Sequence, residues 1–385
     1  MVSGAAVHLK GYHSIYIVAD RNVAQFADKV RTALASGQDA DGVSRMVCKA
    51  VLPIEASEQR KSIDTVLEIC KWLMDSGADR NSLVLAIGGG ITTDMAGFAA
   101  SIYKRGVRFA YIPTTLLAQV DAAIGGKTGV NFGNYKNILG VIRQPEFTYI
   151  CTEVLETLPY RDFLFGAAEL LKTFIIDDSD RNYEKAVAVL SEIYSDPDHH
   201  RAISAHLPEL KGLISAAGMV KAGVVERDEF ECGERRKLNL GHTFAHAIEW
   251  ESRSMQMAPG CGSDSEGALT PDGIPHGKAV AMGIILASRL SENFYNEDRS
   301  DSSRTADDTH SRQQGKSLAD RLENDFRSCG LPVDCPFAVE SLSVAMQKDK
   351  KAEDGIVHFV LIHGIGDVRI EDLTVSDAMR LLREC

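Results

Sequence analysis

The feature of this chain that most constrains its fold is a short apolar segment that stops at three consecutive glycines. Residues 83–87 (LVLAI) have the length of a β-strand and lack the alternation of apolar and polar side chains that a half-exposed strand shows. Such a segment is typical of a strand buried on both faces of a parallel sheet. Gly88, Gly89 and Gly90 follow at once, and they allow the backbone to approach a neighbour closely. The segment therefore predicts an α/β unit.

The residues after the glycines predict an anion site. Residues 92–94 (TTD) can cap a helix that runs through residue 102, and backbone N–H groups at its start would then face a phosphate. A second apolar strand, residues 107–112, is followed by residues 113–115 (PTT), whose hydroxyl groups can reach the same edge of the sheet. The pattern favours a nucleotide as the ligand, and a glycine-rich turn without a ligand is the alternative.

Neither of the two common phosphate-binding motifs is present. A dinucleotide fingerprint needs a third glycine three residues after Gly90, and Thr93 stands there. A P-loop needs a glycine five residues before Gly126, and Asp121 stands there. A nucleotide site in this chain would therefore use a different arrangement of glycines.

The secondary-structure pattern divides the chain into two parts. Strands at 14–19, 46–52, 83–87 and 107–112 alternate with amphipathic helices, which predicts an α/β nucleotide-binding domain over residues 1–155. Residues 156–385 are predicted to form a mainly α-helical, metal-binding domain, with a late hairpin at 356–362 and 367–370. Its predicted helices are 163–176, 182–193, 207–226, 238–252, 277–295, 316–327 and 339–347. The polar segments 254–275 and 296–315 are expected to be surface insertions or mobile loops.

Composition excludes several classes of function. The chain has 385 residues, with 54 acidic and 42 basic ones, and its net charge of −12 disfavours nonspecific binding of nucleic acid or of an anionic membrane. No apolar run approaches the roughly 20 residues that span a bilayer, and the start lacks a signal-peptide core. A cytoplasmic location is the expectation. The 8 cysteines include no CxxC pair, so we expect them to be reduced.

Histidines in the second part predict a metal site. His242 and His246 lie four residues apart on one face of a predicted helix, a spacing that can ligate a metal. Glu169 belongs to another predicted helix, and His276 stands at the start of a third. One carboxylate and two imidazoles suit Zn²⁺ or a similar divalent ion. The spacing leaves open which of His242 and His246 binds, and each histidine alone is more often an ordinary hydrogen-bonded residue.

A set of cations predicts an anionic substrate. Its members stand in apolar or glycine-rich surroundings rather than on charged helix faces, although a solvated position is the commoner one for a single lysine. They are Lys127, Lys136, Lys172, Lys221, Arg235, Lys350 and Lys351. Together they favour a substrate that carries both phosphate and carboxylate groups.

Seven ordered motifs make the chain resemble a known family. They are GGGxxxDxAGF (88–98), YKRG (103–106), PTTLLAQVDAAIGGKTGVN (113–131), KN (136–137), AELLK (168–172), NLGHTFAHAIE (239–249) and HGKAVAMG (276–283). In this order they are similar to the 3-dehydroquinate synthase family, within the sugar-phosphate cyclase superfamily. The resemblance extends from about residue 16 to residue 366.

The resemblance implies a role for each site residue. Glu169, His242 and His276 would bind the metal, Zn²⁺ or Co²⁺, and His246 would be a second active-site histidine. The residues implied for the substrate are Lys127, Asn137, Lys172, Lys221, Arg235, Asn239 and Lys350 or Lys351, with Asp121 and Lys136 beside them. Those implied for NAD are Asp20, Asn22, Glu58, Lys61, Gly89, Gly90, Asp94, Thr114, Thr115, Leu117 and Thr157. Arg105 would reach the neighbouring subunit of a homodimer.

The resemblance also implies the reaction. An NAD-dependent and metal-dependent lyase of the shikimate pathway would convert 3-deoxy-D-arabino-heptulosonate 7-phosphate into 3-dehydroquinate and phosphate. A transient oxidation of the substrate acidifies a neighbouring C–H, phosphate leaves by β-elimination, and the hydride returns before ring opening and aldol closure. NAD is therefore recycled.

Departures from the family pattern and other functions define the alternatives. Lys278 stands near His276 where the family commonly has Glu, and Ala222 follows Lys221 where an acid is usual. The nearest alternative is another sugar-phosphate cyclase, which acts on sedoheptulose 7-phosphate or a hexose phosphate. A metal-dependent alcohol dehydrogenase and a noncatalytic nucleotide-sensing protein are the two others.

Overall fold

The computed structural model of this protein describes residues 9, 12, 14–36, 48–133, 135–179, 181–256, 273–301, 317–348 and 356–383. These residues form two compact units. The first comprises the described residues up to Gly166 together with Ile203–Ala222, and the second comprises Ala167–Ala202 and the described residues from Gly223 onward. Among the helices that the structure describes, none combines the length and the apolar character that crossing a lipid bilayer requires.

The first unit is built around a four-stranded parallel sheet. Its strands are β1 (Ile15–Asp20), β2 (Cys48–Ile54), β3 (Leu83–Gly88) and β4 (Arg108–Pro113), in the order β2-β1-β3-β4. Helices α1 (Ala24–Ser36), α2 (Ile63–Asp75) and α3 (Gly90–Ile102) connect them. The parallel sheet and the α/β class predicted from the sequence are confirmed.

Both faces of this sheet are buried, which explains the unbroken apolar run in β3. Val84 and Ala86 pack with Met95 and other residues of α2 and α3 on one face. Leu83, Leu85 and Ile87 pack with residues of α1 on the other. Because successive side chains point to opposite faces of a strand, a strand covered on both sides needs apolar residues at every position.

The start of α3 differs from the sequence prediction. Thr92, Thr93 and Asp94 were expected to cap this helix, but Gly89 occupies the N-cap position without a side-chain hydrogen bond, and the three residues lie inside the helix. The Thr93 hydroxyl donates to the carbonyl of Gly90 at 3.0 Å. The prediction was wrong because the helix begins earlier, at Gly90, with Gly89 as an N-cap that makes no side-chain hydrogen bond.

An antiparallel hairpin follows the sheet in the first unit. Strand β5 (Lys127–Phe132) pairs with β6 (Tyr135–Ile142), and Gly129 lies opposite Gly140. A Cβ atom at Gly129 would lie 2.8 Å from the carbonyl oxygen of Leu139, so this close pairing of backbones needs glycine. The hairpin places Asn131 and Asn137 beside Lys61, in the loop between β2 and α2, and the N–H of Asn131 donates to the Lys61 carbonyl at 2.9 Å.

The remainder of the chain is mainly helical, as predicted. Its helices are α4 (Tyr160–Ile176), α5 (Asn182–Ser195), α6 (His199–Ala205), α7 (Leu207–Arg227), α8 (His242–Gln256), α9 (His276–Asp301), α10 (Leu318–Ser328), α11 (Val339–Lys348) and α12 (Val375–Arg383). Strands β7 (Ile356–Gly364) and β8 (Asp367–Thr374) form the predicted hairpin in the second unit. Helices α6 and α12 were not predicted.

Two helix boundaries in the second unit correct the sequence prediction. Helix α8 begins at His242 rather than at 238, because a 3₁₀ turn occupies Glu234–Asn239 and Gly241 has a φ of 75°. Helix α9 continues to Asp301, so the first residues of the segment 296–315 are helical rather than a loop. Most of that segment and of 254–275 lies outside the described residues, and so does Lys350.

Candidate active site

The three predicted metal ligands converge in the second unit. Glu169 lies within α4, while His242 and His276 are the first residues of α8 and α9. The Nε2 atom of His242 lies 3.6 Å from Glu169 Oε1, and the Nε2 atom of His276 lies 3.4 Å from the same oxygen. One donor atom from each of the three residues lies within 4.8 Å of the other two. Three donors at these separations can hold one cation.

The Nδ1 atoms of the two imidazole rings form hydrogen bonds, and these hydrogen bonds set the orientation of the rings. The Nδ1–H of His242 donates to the carbonyl of Leu240 at 3.2 Å. The Nδ1–H of His276 donates to the carboxylate of Glu249 at 3.0 Å. Each contact requires a proton on Nδ1, so whenever either ring is neutral its Nε2 lone pair faces Glu169. This is the tautomer that a metal-binding histidine needs.

The carboxylate of Glu169 is fully buried, and it lies beside the Lys172 ammonium group and two imidazole rings. Within the described part of the chain, neither of its oxygens accepts a hydrogen bond of good geometry, although Lys172 Nζ lies 2.5 Å from Oε2. Burial alone raises the pKa of a carboxyl, but Lys172 and the two imidazoles outweigh it and hold the pKa of Glu169 well below its usual value. Glu169 is therefore an anion at neutral pH, and a buried carboxylate that faces two imidazole nitrogens can act as a cation ligand.

The two histidines differ in their electrostatic surroundings. Burial and the nearby Lys172 cation lower the pKa of His242 well below its ordinary value. Burial acts in the same direction on His276, but its contacts with Glu169 and Glu249 dominate and raise its pKa to about 10 in the metal-free chain. Binding of a divalent cation by His276 would displace the proton from its Nε2 atom.

The residues at this site fit a divalent metal such as Zn²⁺ or Co²⁺. Two imidazole nitrogens and one carboxylate oxygen form a common donor set for these ions, and three protein ligands leave positions for substrate oxygens. The geometry favours His242 over His246, the choice that spacing left open. The His246 ring centroid lies 5.8 Å from that of His242, and His246 is not part of the three-residue cluster found among the described residues.

A tight loop before α8 organises two of the predicted substrate-binding residues in the second unit. Both oxygens of the Asp228 carboxylate accept backbone N–H groups, from Cys232 at 2.9 Å, Gly233 at 2.7 Å and Arg235 at 2.9 Å. Arg235 is only 2% exposed, and its guanidinium contacts the Glu229 carbonyl. The Asn239 amide donates to Glu231 Oε1 at 2.6 Å. Arg235 and Asn239 are thus held by one loop.

A second polar cluster forms in the first unit around Lys61. The Lys61 ammonium, 6% exposed, donates to Asp94 Oδ2 and to Asn137 Oδ1, each at 2.6 Å. The amide of Asn131 donates to Glu58 Oε2 at 2.9 Å. Burial raises the pKa of Asp94, and Lys61 only partly offsets this. Residues predicted separately for NAD (Glu58, Lys61, Asp94) and for substrate (Asn137) therefore share one network.

Lys221 and Asp121, both predicted to line the substrate pocket, form an ion pair in the same unit. Lys221 Nζ donates to Asp121 Oδ1 at 2.6 Å and to the Asp121 carbonyl at 2.8 Å. Of the other predicted residues here, Lys127 and Arg105 are exposed, and Lys136 is half-buried on β6. Arg105 has a φ of 67°, in the left-handed region that non-glycine residues rarely occupy.

Six of the remaining predicted NAD residues lie at or just after the carboxyl ends of parallel strands. Asp20 ends β1 and accepts from Asn22 N at 3.0 Å, Gly89 and Gly90 follow β3, and Thr114 and Thr115 follow β4. The N–H of Thr114 donates to the Gly88 carbonyl at 2.9 Å, which ties the last two loops together. Leu117 precedes a short turn, Ala118–Ala122, and Thr157 ends a 3₁₀ helix and donates to Val154 O at 3.2 Å.

Sequence reasoning left out three residues that contact the predicted ones. Glu249 accepts from His276, Glu231 accepts from Asn239, and Asn131 joins the Lys61 network. A usable signal existed for Glu249, because it follows His242 by seven residues, two helical turns on the same face. Glu231 has a φ of 61° and lies in an irregular loop, so no periodicity marked it.

Comparisons with known sequences agree with this architecture. A family model described as 3-dehydroquinate synthase N-terminal matches residues 51–164, and one described as 3-dehydroquinate synthase C-terminal matches residues 166–352. The chain is 35% identical over 375 residues to the 3-dehydroquinate synthase of Mesorhizobium japonicum, which covers 96% of this chain and 86% of that protein. It is 38% identical over 331 residues to that of Pyrococcus abyssi, covering 86% and 84%.

Solved structures show the same fold. The 2-epi-5-epi-valiolone synthase of Streptomyces hygroscopicus subsp. jinggangensis, with NAD⁺ and Zn²⁺ bound, matches with a TM-score of 0.74 at 25% identity, over 100% of this chain and 94% of that one. A 2-deoxy-scyllo-inosose synthase complexed with carbaglucose-6-phosphate, NAD⁺ and Co²⁺ has the same TM-score of 0.74 at 20% identity, with coverage of 100% and 94%. At that identity, the second match is informative about the fold alone.

Proposed function

Because the chain belongs to the 3-dehydroquinate synthase family, we propose that it converts 3-deoxy-D-arabino-heptulosonate 7-phosphate into 3-dehydroquinate and phosphate. The family resemblance drawn from the motifs is confirmed. The protein is a metal- and NAD-dependent enzyme of the cyclase type. The observation that carries the proposal is the convergence of Glu169, His242 and His276, whose donor atoms lie within 4.8 Å of one another. The relatives named 3-dehydroquinate synthase, which align with most of the chain, support it.

The metal-binding role belongs to Glu169, His242 and His276. Both Nε2 atoms face the same buried carboxylate oxygen, and the contacts at Nδ1 hold the rings in that orientation. When bound, a divalent cation supplies Lewis acidity and NAD⁺ supplies a reversible hydride acceptor. The chain itself fixes the position and the charge of the donor atoms before any ligand arrives, which is the larger part of electrostatic catalysis.

Substrate anions would be bound by the cations and amides described above. In the second unit, Arg235 offers a planar fork that suits a carboxylate or a phosphate, and Asn239 offers an amide beside it. Lys172 places an ammonium group beside the metal ligands, where it can also contact a substrate anion. In the first unit, Lys221 and Asp121 form an ion pair that can make a further hydrogen bond with a polar group of the substrate. Binding of substrate anions is also proposed for Lys127, Lys136, Asn137 and Lys350.

The dinucleotide would be bound by the first unit. The carboxyl ends of β1, β3 and β4 lie at one edge of the parallel sheet, which is where α/β proteins bind nucleotides. The residues proposed there are Asp20, Asn22, Glu58, Lys61, Gly89, Gly90, Asp94, Thr114, Thr115, Leu117 and Thr157. The N-terminus of α3, which begins at Gly90, presents backbone N–H groups to the phosphates.

The identity of the sugar phosphate is tested by a choice of substrates. Purified protein with NAD⁺ and Zn²⁺ is incubated with the heptulosonate phosphate and, separately, with sedoheptulose 7-phosphate and glucose 6-phosphate. Phosphate release from the first substrate alone is expected, because Arg235 and Lys221 are suited to a carboxylate. Release from one of the other two alone would favour a valiolone-type or inosose-type cyclase, the class of the two structural neighbours. Net accumulation of NADH at 340 nm would indicate a dehydrogenase.

The metal site is tested by substitution of one ligand. His276→Ala should lose at least about 100-fold in phosphate release and in metal content, because two ligands rarely hold a divalent ion in a protein site. His200→Ala, an exposed position in the same unit, is the matched control and should keep wild-type activity. Equal phosphate release by His276→Ala after treatment with a chelator would refute the proposed site.

A homodimer and a cytoplasmic location complete the proposal. Arg105 is exposed and backbone-strained, which is consistent with a role outside its own subunit. Light scattering coupled to size exclusion tests the dimer, and mixing Arg105→Ala with an inactive Lys172→Met variant tests whether activity is shared between subunits. Monomeric protein with full activity would exclude the shared site.

A further inference from the structure

Glu249 is a buried carboxylate for which the proposed reaction gives no role. It lies on α8, two turns after His242, and only 2% of the residue is exposed. Removing a carboxylate from water is costly unless a partner compensates it. The described partner of its Oε1 atom is the Nδ1 atom of His276, 3.0 Å away. The structure thus spends a buried charge on the back of one histidine ring.

The two metal-facing histidines are supported in different ways. The Nδ1–H of His242 donates to a neutral backbone carbonyl, that of Leu240, only two residues before it. The Nδ1–H of His276 donates to a carboxylate on a different helix. A backbone carbonyl so close in sequence orients His242 locally. His276 has no such local acceptor among its described contacts, so its ring depends on a side chain of α8.

One helix therefore serves both imidazoles. His242 at the start of α8 faces Glu169 directly, and Glu249 on the same helix holds the ring of His276. Any movement of α8 relative to α9 would alter both donors together. An anionic acceptor at Nδ1 also increases the electron density at Nε2, which strengthens that nitrogen as a ligand.

We propose that Glu249 is a positioning residue of the metal site, which fixes the ring orientation and tautomer of His276 and strengthens Nε2 as a donor. This inference rests on the metal site of the proposed function and extends it to a residue that touches neither metal nor substrate. It requires that the effect of Glu249 on metal binding pass through His276.

The test measures the affinity for metal directly. Apo protein is titrated with Zn²⁺ in competition with a chromophoric chelator, and with Co²⁺ while its visible absorption bands are recorded. Glu249→Gln keeps the size of the side chain and removes its charge, so the affinity should fall by about 10- to 100-fold. The Co²⁺ bands should shift because one nitrogen donor has changed. Glu251→Gln, on the same helix two residues later, is the matched control and should change the affinity less than twofold.

A double-mutant cycle separates positioning from a general effect on folding. In a His276→Ala background, Glu249→Gln should change the residual Zn²⁺ affinity less than twofold, because its target is gone. An equal loss in both backgrounds would overturn the proposal. So would wild-type affinity in Glu249→Gln, or loss of helical circular dichroism in its apo form, since the residue would then serve the fold.

The failure of this inference is distinguishable from failure of the proposed function. The titrations contain no substrate, so they report on Glu249 whatever sugar phosphate the enzyme converts. If the wild-type protein binds Zn²⁺ and Glu249→Gln binds it equally well, only the positioning role fails. If the wild-type protein binds no divalent metal at these three residues, both the positioning role and the proposed metal site fail.

Discussion

At the scale of single residues, Glu169 and Lys172 form an ion pair that is almost completely removed from solvent. Their side chains are 0% and 2% exposed, and Lys172 Nζ lies 2.5 Å from Glu169 Oε2. Within one helical turn, the pair puts an anion and a cation beside the two imidazoles. The cation stabilises the buried carboxylate when no metal is bound, and it opposes a second positive charge when one is.

Lys172→Met should therefore have opposite effects on apo stability and on metal binding. Without its cationic partner, the buried Glu169 carboxylate destabilises the apo protein, and the free energy of unfolding should fall by about 3 kcal/mol. Zn²⁺ affinity should stay equal or increase, because a repelling charge is removed. Urea denaturation with a chelator present and the chelator competition check the two effects. Lys185→Met, exposed in the same unit, is the control, and weaker Zn²⁺ binding would contradict the argument.

Two buried thiols should be unreactive up to alkaline pH. Burial raises the pKa of Cys151 to about 12, with Glu153 adding to the effect, and burial likewise raises that of Cys329 to about 12. Because the thiolate is the nucleophile, labelling by a disulfide reagent should accelerate only as the pH approaches that value. In a Cys261→Ser, Cys385→Ser background, exposed Cys232 should react first. Rapid loss of the Cys151 thiol at pH 8 in folded protein would contradict this.

At the scale of elements, a close approach of two helices sets the positions of the histidines. A Cβ atom at Gly241, where φ is 75°, would lie 2.7 Å from Ile284 Cγ1 and 2.9 Å from Ile284 N. Gly283 on α9 in turn faces the Gly241 carbonyl and the Ala245 backbone. Because neither residue carries a side chain, α8 and α9 can pack with their backbones in near contact. His242 and His276, the first residues of these helices, depend on that packing.

Gly283→Ala should loosen the metal site from a distance. The added methyl group would force the backbones of α8 and α9 apart, with a loss of roughly 1–3 kcal/mol in unfolding free energy. The Zn²⁺ affinity should fall as well, because the two imidazoles move with their helices. Thermal unfolding and the chelator competition measure both. Gly212→Ala is the control, because a Cβ atom there meets no heavy atom within 4 Å. Unchanged affinity in a destabilised Gly283→Ala would contradict the coupling.

The elements that the sequence predicted well are those with a strong period. The strand at Leu83–Gly88 is apolar throughout, and the helix at Asn182–Ser195 has a regular apolar face, so local pattern was sufficient. The hairpin of β5 and β6 was missed because its glycines weaken any strand signal and its pairing is a long-range property. Helix α12 was missed although Val375, Ala378, Met379 and Leu382 recur at helical spacing, because its 9 residues are fewer than the window over which a helical period is recognised.

The candidate site was predictable as a set of residue types but not as a geometry. The spacing of His242 and His246 could not distinguish a ligand from its neighbour, since both lie on one helical face. The preference for His242 comes from its Nε2 atom, which lies 3.6 Å from Glu169 Oε1 and belongs to the three-residue donor cluster. The three glycines were interpreted as making room for a ligand. The structure adds an internal reason, because a Cβ at Gly90 would lie 2.9 Å from the Cβ of Ala122.

At the scale of the whole molecule, the two compact units carry different ligand chemistry. The first holds the parallel sheet, the glycine loop and the Lys61 network, all suited to a dinucleotide. The second holds the Glu169, His242 and His276 cluster, suited to a metal. The residues of each set lie within one unit, so each ligand is expected to stabilise the unit that carries its set.

Hydrogen exchange of the full chain should show this separation. At 100 times its dissociation constant, a ligand stabilises the state that binds it by about 2.7 kcal/mol. Zn²⁺ alone should slow exchange at the starts of α8 and α9 and around Glu169, and leave residues 88–94 unchanged. NAD⁺ alone should slow exchange at residues 88–94 and leave α9 unchanged. Protection of both regions by Zn²⁺ alone would contradict the assignment of one ligand to each unit.

The buried carboxylate in the middle of α4 has a consequence for the cell. A chain made when zinc or cobalt is scarce lacks the stabilisation that a bound ion would add at Glu169, so its native state is closer to unfolding. Quality-control proteases act on the fraction of molecules that open, and a difference of one or two kcal/mol changes steady-state abundance several-fold. Metal starvation should therefore lower the amount of this protein as well as its activity. The supply of zinc or cobalt would then regulate how much of the enzyme the cell retains.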